Sequence, residues 1–241
     1  MPDRAALVTG ASSGIGLAIA RTLGEEGHGL TVAARRPEKL AGAATQLREA
    51  GHEVEEVAGN MADEADVQRV VAAHRDRWGR LDVLVNSAGV GVGATVAEMV
   101  TKRIDMQLDV NLRAIMLFYR ECAELLRAAG AEHRNALVVN MSSLSGKSGQ
   151  AWLSVYSATK AAVIGWTQAM NMELNGDGIK SVALCPGFVD TAMTEFVRGH
   201  VPQDQMIRPE DVSESVRFLL RTSPNCLVPE IVFQRPGEAT L

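Results

Sequence analysis

Apolar residues fall along the chain in two alternating rhythms. Short β-type runs occur at AALVT (5–9), GLTVAA (29–34), EVEEV (53–57), LDVLVN (81–86), NALVVN (135–140), KSVALC (180–185) and EIVFQ (230–234). Between them lie helix-length segments with apolar residues three and four apart, such as ADVQRVVAAHRDRW (65–78) and PEDVSESVRFLL (209–220). The latter opens with Pro209, Glu210 and Asp211, residues that suit a helix N-terminus. Several strand cores (ALV, VLV, LVV) are continuously apolar, as when both sheet faces are buried. Strands alternating with helices imply right-handed βαβ units. The pattern therefore predicts an α/β fold: a doubly wound, seven-stranded parallel sheet with helices on both faces. No repeat, low-complexity tract or linker interrupts it, so one domain is expected over 1–241.

The first predicted strand runs into TGASSGIGLAIARTL (9–23), which sets Gly10, Gly14 and Gly16 between a strand and an apolar helix. Glycines there let the backbone turn tightly and approach phosphates that rest on helix N-terminal N–H groups. The spacing is GxxxGxG rather than GxGxxG, and a glycine turn without a ligand is the alternative reading. The second strand ends at Ala34 and is followed by Arg35 and Arg36, with no acid to take a ribose 2′-hydroxyl. Guanidinium pairs with a 2′-phosphate, so the expected cofactor is NADP(H) rather than NAD(H).

Composition narrows the classes further. With 46% hydrophobic and 22% charged residues the chain is an ordinary globular one. Its net charge of −5 gives no general attraction for nucleic acid or anionic lipid. No apolar stretch approaches the roughly 20 residues of a membrane helix, and the opening MPDRAALVTG has no signal-peptide core. Cys122, Cys185 and Cys226 lie far apart without a CxxC pair, which suggests reduced thiols in a cytoplasmic protein. No Cys/His cluster has zinc-ligand spacing, so no metal is expected. The five scattered histidines (28, 52, 74, 133 and 200) are expected at the surface.

The chemistry gathers in SVYSATKAAV (154–163), where Tyr156 is followed four residues later by Lys160. Four helical residues turn about 400° and rise about 6 Å, so the phenol and ammonium share a face. A nearby ammonium, together with the positive nicotinamide ring of an oxidised cofactor, would favour phenolate and lower the tyrosine pKa. Ser143 lies thirteen residues before Tyr156, in NMSSLSG. Other motifs are NSAG (86–89), Asn111 within DMQLDVNLRAIMLFYRE, and PGFVDT (186–191).

Together these motifs resemble the short-chain dehydrogenase/reductase family, and the resemblance covers almost the whole chain. TGASSGIG resembles the family's TGxxxGIG, NSAG its NNAG with Ser87 for the second Asn, Tyr156–Lys160 its YxxxK, and PGFVDT its PGxVxT. The resemblance implies a Rossmann-like fold and hydride exchange between a nicotinamide cofactor and a carbonyl or secondary alcohol. Tyr156 would be the general acid or base, and Lys160 would bind the nicotinamide ribose and tune Tyr156. Ser143 would hold the substrate carbonyl, and Asn111 would hold a water that passes protons towards Lys160. A mid-helix Asn111 satisfying a kinked backbone is the other reading. The cofactor would lie on Gly10, Ser12, Ser13, Gly14, Ile15, Gly16, Arg35, Arg36, Asn60, Met61, Asn86, Ala88, Gly89, Pro186, Gly187, Val189 and Thr191, besides Tyr156 and Lys160. Asn60-Met61 stands where the family usually has Asp-Val, and the Asn60 carbonyl would still accept from an adenine amino group.

The resemblance also places a substrate lid over 191–208, with Met193, Phe196 and Val197 beside Arg198 and His200. Arg198 would either grip a substrate carboxylate or stand as an exposed charge. The partner is a small-molecule carbonyl or alcohol. The family builds homodimers or homotetramers from the helices around Asn111 and Tyr156, where Trp152, Trp166 and Met170 would suit burial. A non-catalytic NADP(H)-binding sensor is the reading from another class, disfavoured because all four candidate active-site groups are present.

Overall fold

The computed structural model of the chain describes residues 2–237. Met1 and residues 238–241 of the expected single domain lie outside the described residues. The expected strands form as β1 (Arg4–Thr9), β2 (His28–Ala34), β3 (Val54–Ala58), β4 (Val83–Asn86), β5 (Ala136–Met141), β6 (Ile179–Pro186) and β7 (Glu230–Phe233). They pair in parallel in the order β3-β2-β1-β4-β5-β6-β7. Crossovers run outwards in both directions from the boundary between β1 and β4, which creates a crevice at the strands' carboxyl ends there. Register holds the strand ends level, with Thr9 opposite Asn86 and Asn86 opposite Asn140.

Helices α1 (Gly14–Glu25), α2 (Pro37–Glu49) and α7 (Pro209–Leu220) cover one face. Their Ile19, Leu40 and Val212 pack with Val8, Val32 and Val139 of the sheet. Helices α3 (Glu64–Trp78), α5 (Ala114–His133) and α6 (Ser154–Leu174) cover the other, where Val67, Phe118 and Val163 pack with Leu7, Leu84 and Val138. The continuous strand cores of the sequence are thus apolar because successive residues face different helix layers. A short helix, α4 (Thr101–Leu108), leads through one π-helical turn (Asp109–Arg113) into α5.

Two histidines depart from the expected surface positions. His74 is fully buried, with Nδ1 2.8 Å from Thr31 Oγ1 and Nε2 2.8 Å from the Arg80 carbonyl. Burial pushes its pKa down to about 4, so it is neutral and serves to join α3 to β2. His28 is also buried and lies 3.1 Å from the Leu23 carbonyl. Periodicity missed both because a histidine held by internal partners, two for His74 and one for His28, reads in sequence as an ordinary polar residue.

Among the described residues, no helix is long and apolar enough to cross a membrane, and no group of His, Cys, Asp or Glu is placed to hold a metal ion.

Candidate active site

The loop from β1 to α1 is shaped by close backbone approach. A Cβ on Gly10, which has φ +69°, would lie 2.8 Å from the Ala88 nitrogen. One on Gly16 would lie 2.5 Å from the Gly10 carbonyl oxygen. Only glycine gives this turn at these positions. Thr9 Oγ1 accepts from the Ser87 and Ala88 N–H groups, both at 3.1 Å, which ties the loop to the end of β4. Helix α1 then starts at Gly14 with no side chain capping its free N–H groups.

These elements border a cleft of about 550 Å³ at the boundary between β1 and β4. Gly10, Ser12, Ser13, Gly14, Ile15 and Gly16 form one wall, and Arg35, Arg36, Asn60 and Met61 one end. Ala88, Gly89, Pro186, Gly187, Val189 and Thr191 line the remainder. Arg35 and Arg36 are exposed, and neither pairs with an acid among the described residues. An uncapped helix start, a Cβ-free loop and two unpaired guanidinium groups fit a phosphorylated dinucleotide. Asn60 Oδ1 also accepts from the Ala62 N–H at 3.3 Å, so its carbonyl serves a local turn as well as facing the cleft.

Asn86 departs from its expected place. Its side chain is buried within the sheet end and donates to Asn140 Oδ1 at 2.9 Å, away from the cleft. Asn86 and Asn140 are level on adjacent strands, so the Asn86 amide meets the Asn140 side chain, which in turn donates to Tyr119 and Thr167 of the covering helices.

At the cleft's other end stand Ser143, Tyr156 and Lys160, with Asn111 buried behind the 89–90 backbone. Lys160 is buried, its Nζ donates to the Met141 carbonyl at 2.7 Å, and it lies 5.6 Å from the centre of the Tyr156 ring. Burial pushes the Lys160 pKa down to about 8. Burial moves Tyr156 the other way, above its ordinary value, and a hydrogen bond with Ser143 opposes the rise. In the protein alone the shift therefore runs opposite to the expected lowering, because burial disfavours the phenolate. Ser143 Oγ accepts from the Ser145 N–H at 3.1 Å and donates to the Pro186 carbonyl at 3.5 Å, which fixes it between the 143–145 turn and the end of β6.

Asn111 sits in the π-helical turn, so the helix is irregular there as the alternative reading required. Its amide is nevertheless used across space: Oδ1 accepts from the Val90 N–H and Nδ2 donates to the Val90 carbonyl, each at 2.8 Å. Nδ2 also reaches Thr159 Oγ1 at 3.1 Å, beside Lys160. A Cβ on Gly89 would lie 3.4 Å from Asn111 Oδ1 and 3.6 Å from Lys160 Nζ, so both groups converge on one glycine.

Two further residues support the site: Gln107, which the sequence did not reveal, and Ser142, which misses by one residue the spacing that singles out Ser143. Gln107, fully buried, accepts from the Val92 N–H at 3.2 Å and so fixes the same loop one turn from Asn111. Its i, i+4 relation to Asn111 was the available signal. Ser142 Oγ donates to the Lys160 carbonyl at 2.8 Å and anchors α6.

A second cavity, of about 990 Å³, opens on the far side of Tyr156 and Ser143, which line both spaces. Its walls include Trp152, Phe188, Met193 and Phe196, with Lys102 and Arg103 at the edge. Trp152 and Phe196 meet with ring centres 6.1 Å apart and planes tilted by 53°. Trp152 therefore stands in a cavity wall just before α6, apart from Trp166, which packs edge-on against Tyr119. Arg198 lies outside this cavity and pairs with Asp190 at 3.3 Å.

Comparison with known proteins agrees with this geometry. The short chain dehydrogenase family model matches residues 4–201. The chain is 37% identical over 235 residues to a Streptomyces coelicolor protein named "Putative ketoacyl reductase", covering 89% of each. It is 32% identical to an uncharacterized oxidoreductase of Staphylococcus aureus, covering 96% of each. Among solved structures, actinorhodin polyketide ketoreductase with NADPH superposes with a TM-score of 0.87 and 34% identity over 95% of both chains. An alcohol dehydrogenase from Thermococcus sibiricus complexed with 5-hydroxy-NADP gives 0.88 and 27% identity, over 99% of this chain and 98% of that one. With its fold, its cleft and its motif residues in agreement with a match over most of its length, the chain belongs to the short chain dehydrogenase family.

Proposed function

We propose that the protein is an NADP(H)-dependent oxidoreductase that interconverts a carbonyl and a secondary alcohol. One observation carries this reading: Tyr156 and Ser143 stand on the wall common to the dinucleotide cleft and the second cavity. A reacting carbon beside them would have cofactor on one side and its own substituents on the other. When bound, NADP(H) supplies or accepts the hydride.

The chain's own groups manage the oxygen. In reduction, the Ser143 hydroxyl donates to the carbonyl oxygen and Tyr156 gives its proton as charge builds there. The raised pKa keeps that proton on Tyr156 until the oxygen becomes basic. The Lys160 ammonium, 5.6 Å from the ring, stabilises the phenolate that results. Asn111, which converges with Lys160 on Gly89, is suited to hold the water that resupplies the proton. In oxidation Tyr156 acts as the base. Arg35 and Arg36 select the 2′-phosphate, and Met193 and Phe196 belong to a lid over 191–208.

The assembly is a homodimer or homotetramer on this reading, supported by exposed apolar residues such as Met172 on α6 and Phe218 on α7. A reducing, cytoplasmic setting suits the three cysteines, all free thiols. The relative named as a ketoacyl reductase and the neighbour solved with NADPH support the same chemistry.

The experiment is NADPH oxidation against a panel of ketones, aldehydes and β-keto acids. At least one carbonyl class is expected to be reduced. NADPH binding without oxidation of any of them, together with nucleotide-dependent capture of a partner protein, would establish the sensor instead.

A further inference from the structure

The second cavity has a chemical character that the hydride-transfer residues do not use. Three features define it. First, Lys102 and Arg103 reach its edge, while no aspartate or glutamate lines it. Neither cation pairs with an acid among the described residues. Both occupy the first turn of α4, where the helix's partial positive charge disfavours cations. Helices α2, α3 and α7 place acids in that turn and α1, α5 and α6 leave it without one, whereas α4 sets two adjacent cations there.

Second, Trp152 adopts φ +69°, a left-handed conformation rare for a bulky residue. Its backbone is held there by the Ala94 N–H, which donates to the Trp152 carbonyl at 2.8 Å. Its ring lies over Gly93, where a Cβ would come within 2.2 Å of it. The chain thus accepts backbone strain and a glycine in order to present a half-exposed indole against Phe196. Third, at about 990 Å³ the cavity is large enough for an extended molecule rather than a simple ketone.

We propose that this cavity selects extended ketones with an apolar, ring-bearing body and a terminal anionic group. Trp152 and Phe196 pack the body, and Arg103 with Lys102 takes the anion at the edge. The proposal rests on the carbonyl-reducing reading and assigns its substrate class. It also moves the anion-binding role from the lid's Arg198, which is paired with Asp190, to α4.

The test compares 4-benzoylbutyrate with its methyl ester, which replaces the carboxylate remote from the ketone by a neutral group larger by one methyl. Reduction rates and calorimetric binding to the full chain with NADP⁺ are both measured. In the wild type, the acid is expected to exceed the ester at least about fivefold in kcat/KM and in affinity. In the Arg103→Gln, Lys102→Gln double variant the acid-to-ester ratio is expected to fall to about one. Trp152→Ala should weaken acid and ester alike, since both share the ring. Equal or better handling of the ester by the wild type overturns the proposal, as does an acid preference that survives the double substitution. Binding keeps the two readings distinct. Preferential acid binding with no ketone reduced leaves the assignment of the cavity standing and removes the enzymatic reading. Ketone reduction without acid preference does the reverse.

Discussion

Burial moves the two ionisable groups at the centre of the site in opposite directions. Tyr156 is held above its ordinary value and Lys160 is pushed down to about 8, each because its charged form is poorly solvated. Near neutrality the pair is therefore a neutral phenol and an ammonium, the state that reduction requires. As pH rises through about 8 the ammonium is lost and with it the stabilisation of phenolate. The kcat/KM for reduction should fall along one alkaline limb centred near that value, read from a pH profile. A profile flat until tyrosine itself titrates would contradict this role for Lys160. The pair was legible in sequence from a four-residue spacing, but the direction of the tyrosine shift was not. Spacing shows which groups share a helix face; desolvation depends on what β5, β6 and the 90–93 loop close over them.

At the scale of elements, polar side chains hold the frame in places that periodicity does not reveal. His74 joins α3 to β2 through Thr31 and is neutral in the folded state, with a pKa of about 4 against 6.5 unfolded. The unfolded chain therefore binds more protons between those values, and stability falls as pH falls through the window. From about pH 7 to about pH 5 the wild type should lose about 2 kcal/mol more than His74→Gln, measured by urea unfolding. Equal losses would show that His74 already takes a proton in the folded protein. Gln107 and Asn111 do comparable work for the loop beneath the site, by gripping Val92 and Val90. Asn111 was found in sequence because a motif surrounds it. Gln107 was not, because a glutamine one turn earlier reads as a solvated polar residue until the loop it holds is seen.

Across the whole molecule, a net charge of −5 coexists with two local groups of cations at the two ends of one site. Arg35 and Arg36 stand at the dinucleotide end, and Lys102 and Arg103 at the edge of the second cavity. Each group would draw a small anion towards its own end of the site. Replacing Arg35 by aspartate should raise the Kd for NADPH roughly 10- to 100-fold with a smaller change for NADH, by titration of each nucleotide. An unchanged NADPH/NADH preference would remove the guanidinium pair from cofactor selection. The seven strands and the glycine loop were legible because local pattern determines them. The second cavity was not, because Arg103, Trp152 and Phe196 lie far apart in sequence and meet only when α4, the start of α6 and the lid converge.

The central claim is that Tyr156 gives the proton for a hydride transfer into a carbonyl. Deuterium transfer from 4-deuterated NADPH to the carbinol carbon tests it most directly, followed in single turnovers with a ketone from the panel. The wild type should place deuterium on that carbon, and Tyr156→Phe should do so roughly 10²- to 10⁴-fold more slowly while still binding NADPH. Deuterium transfer by Tyr156→Phe at the wild-type rate would contradict the account.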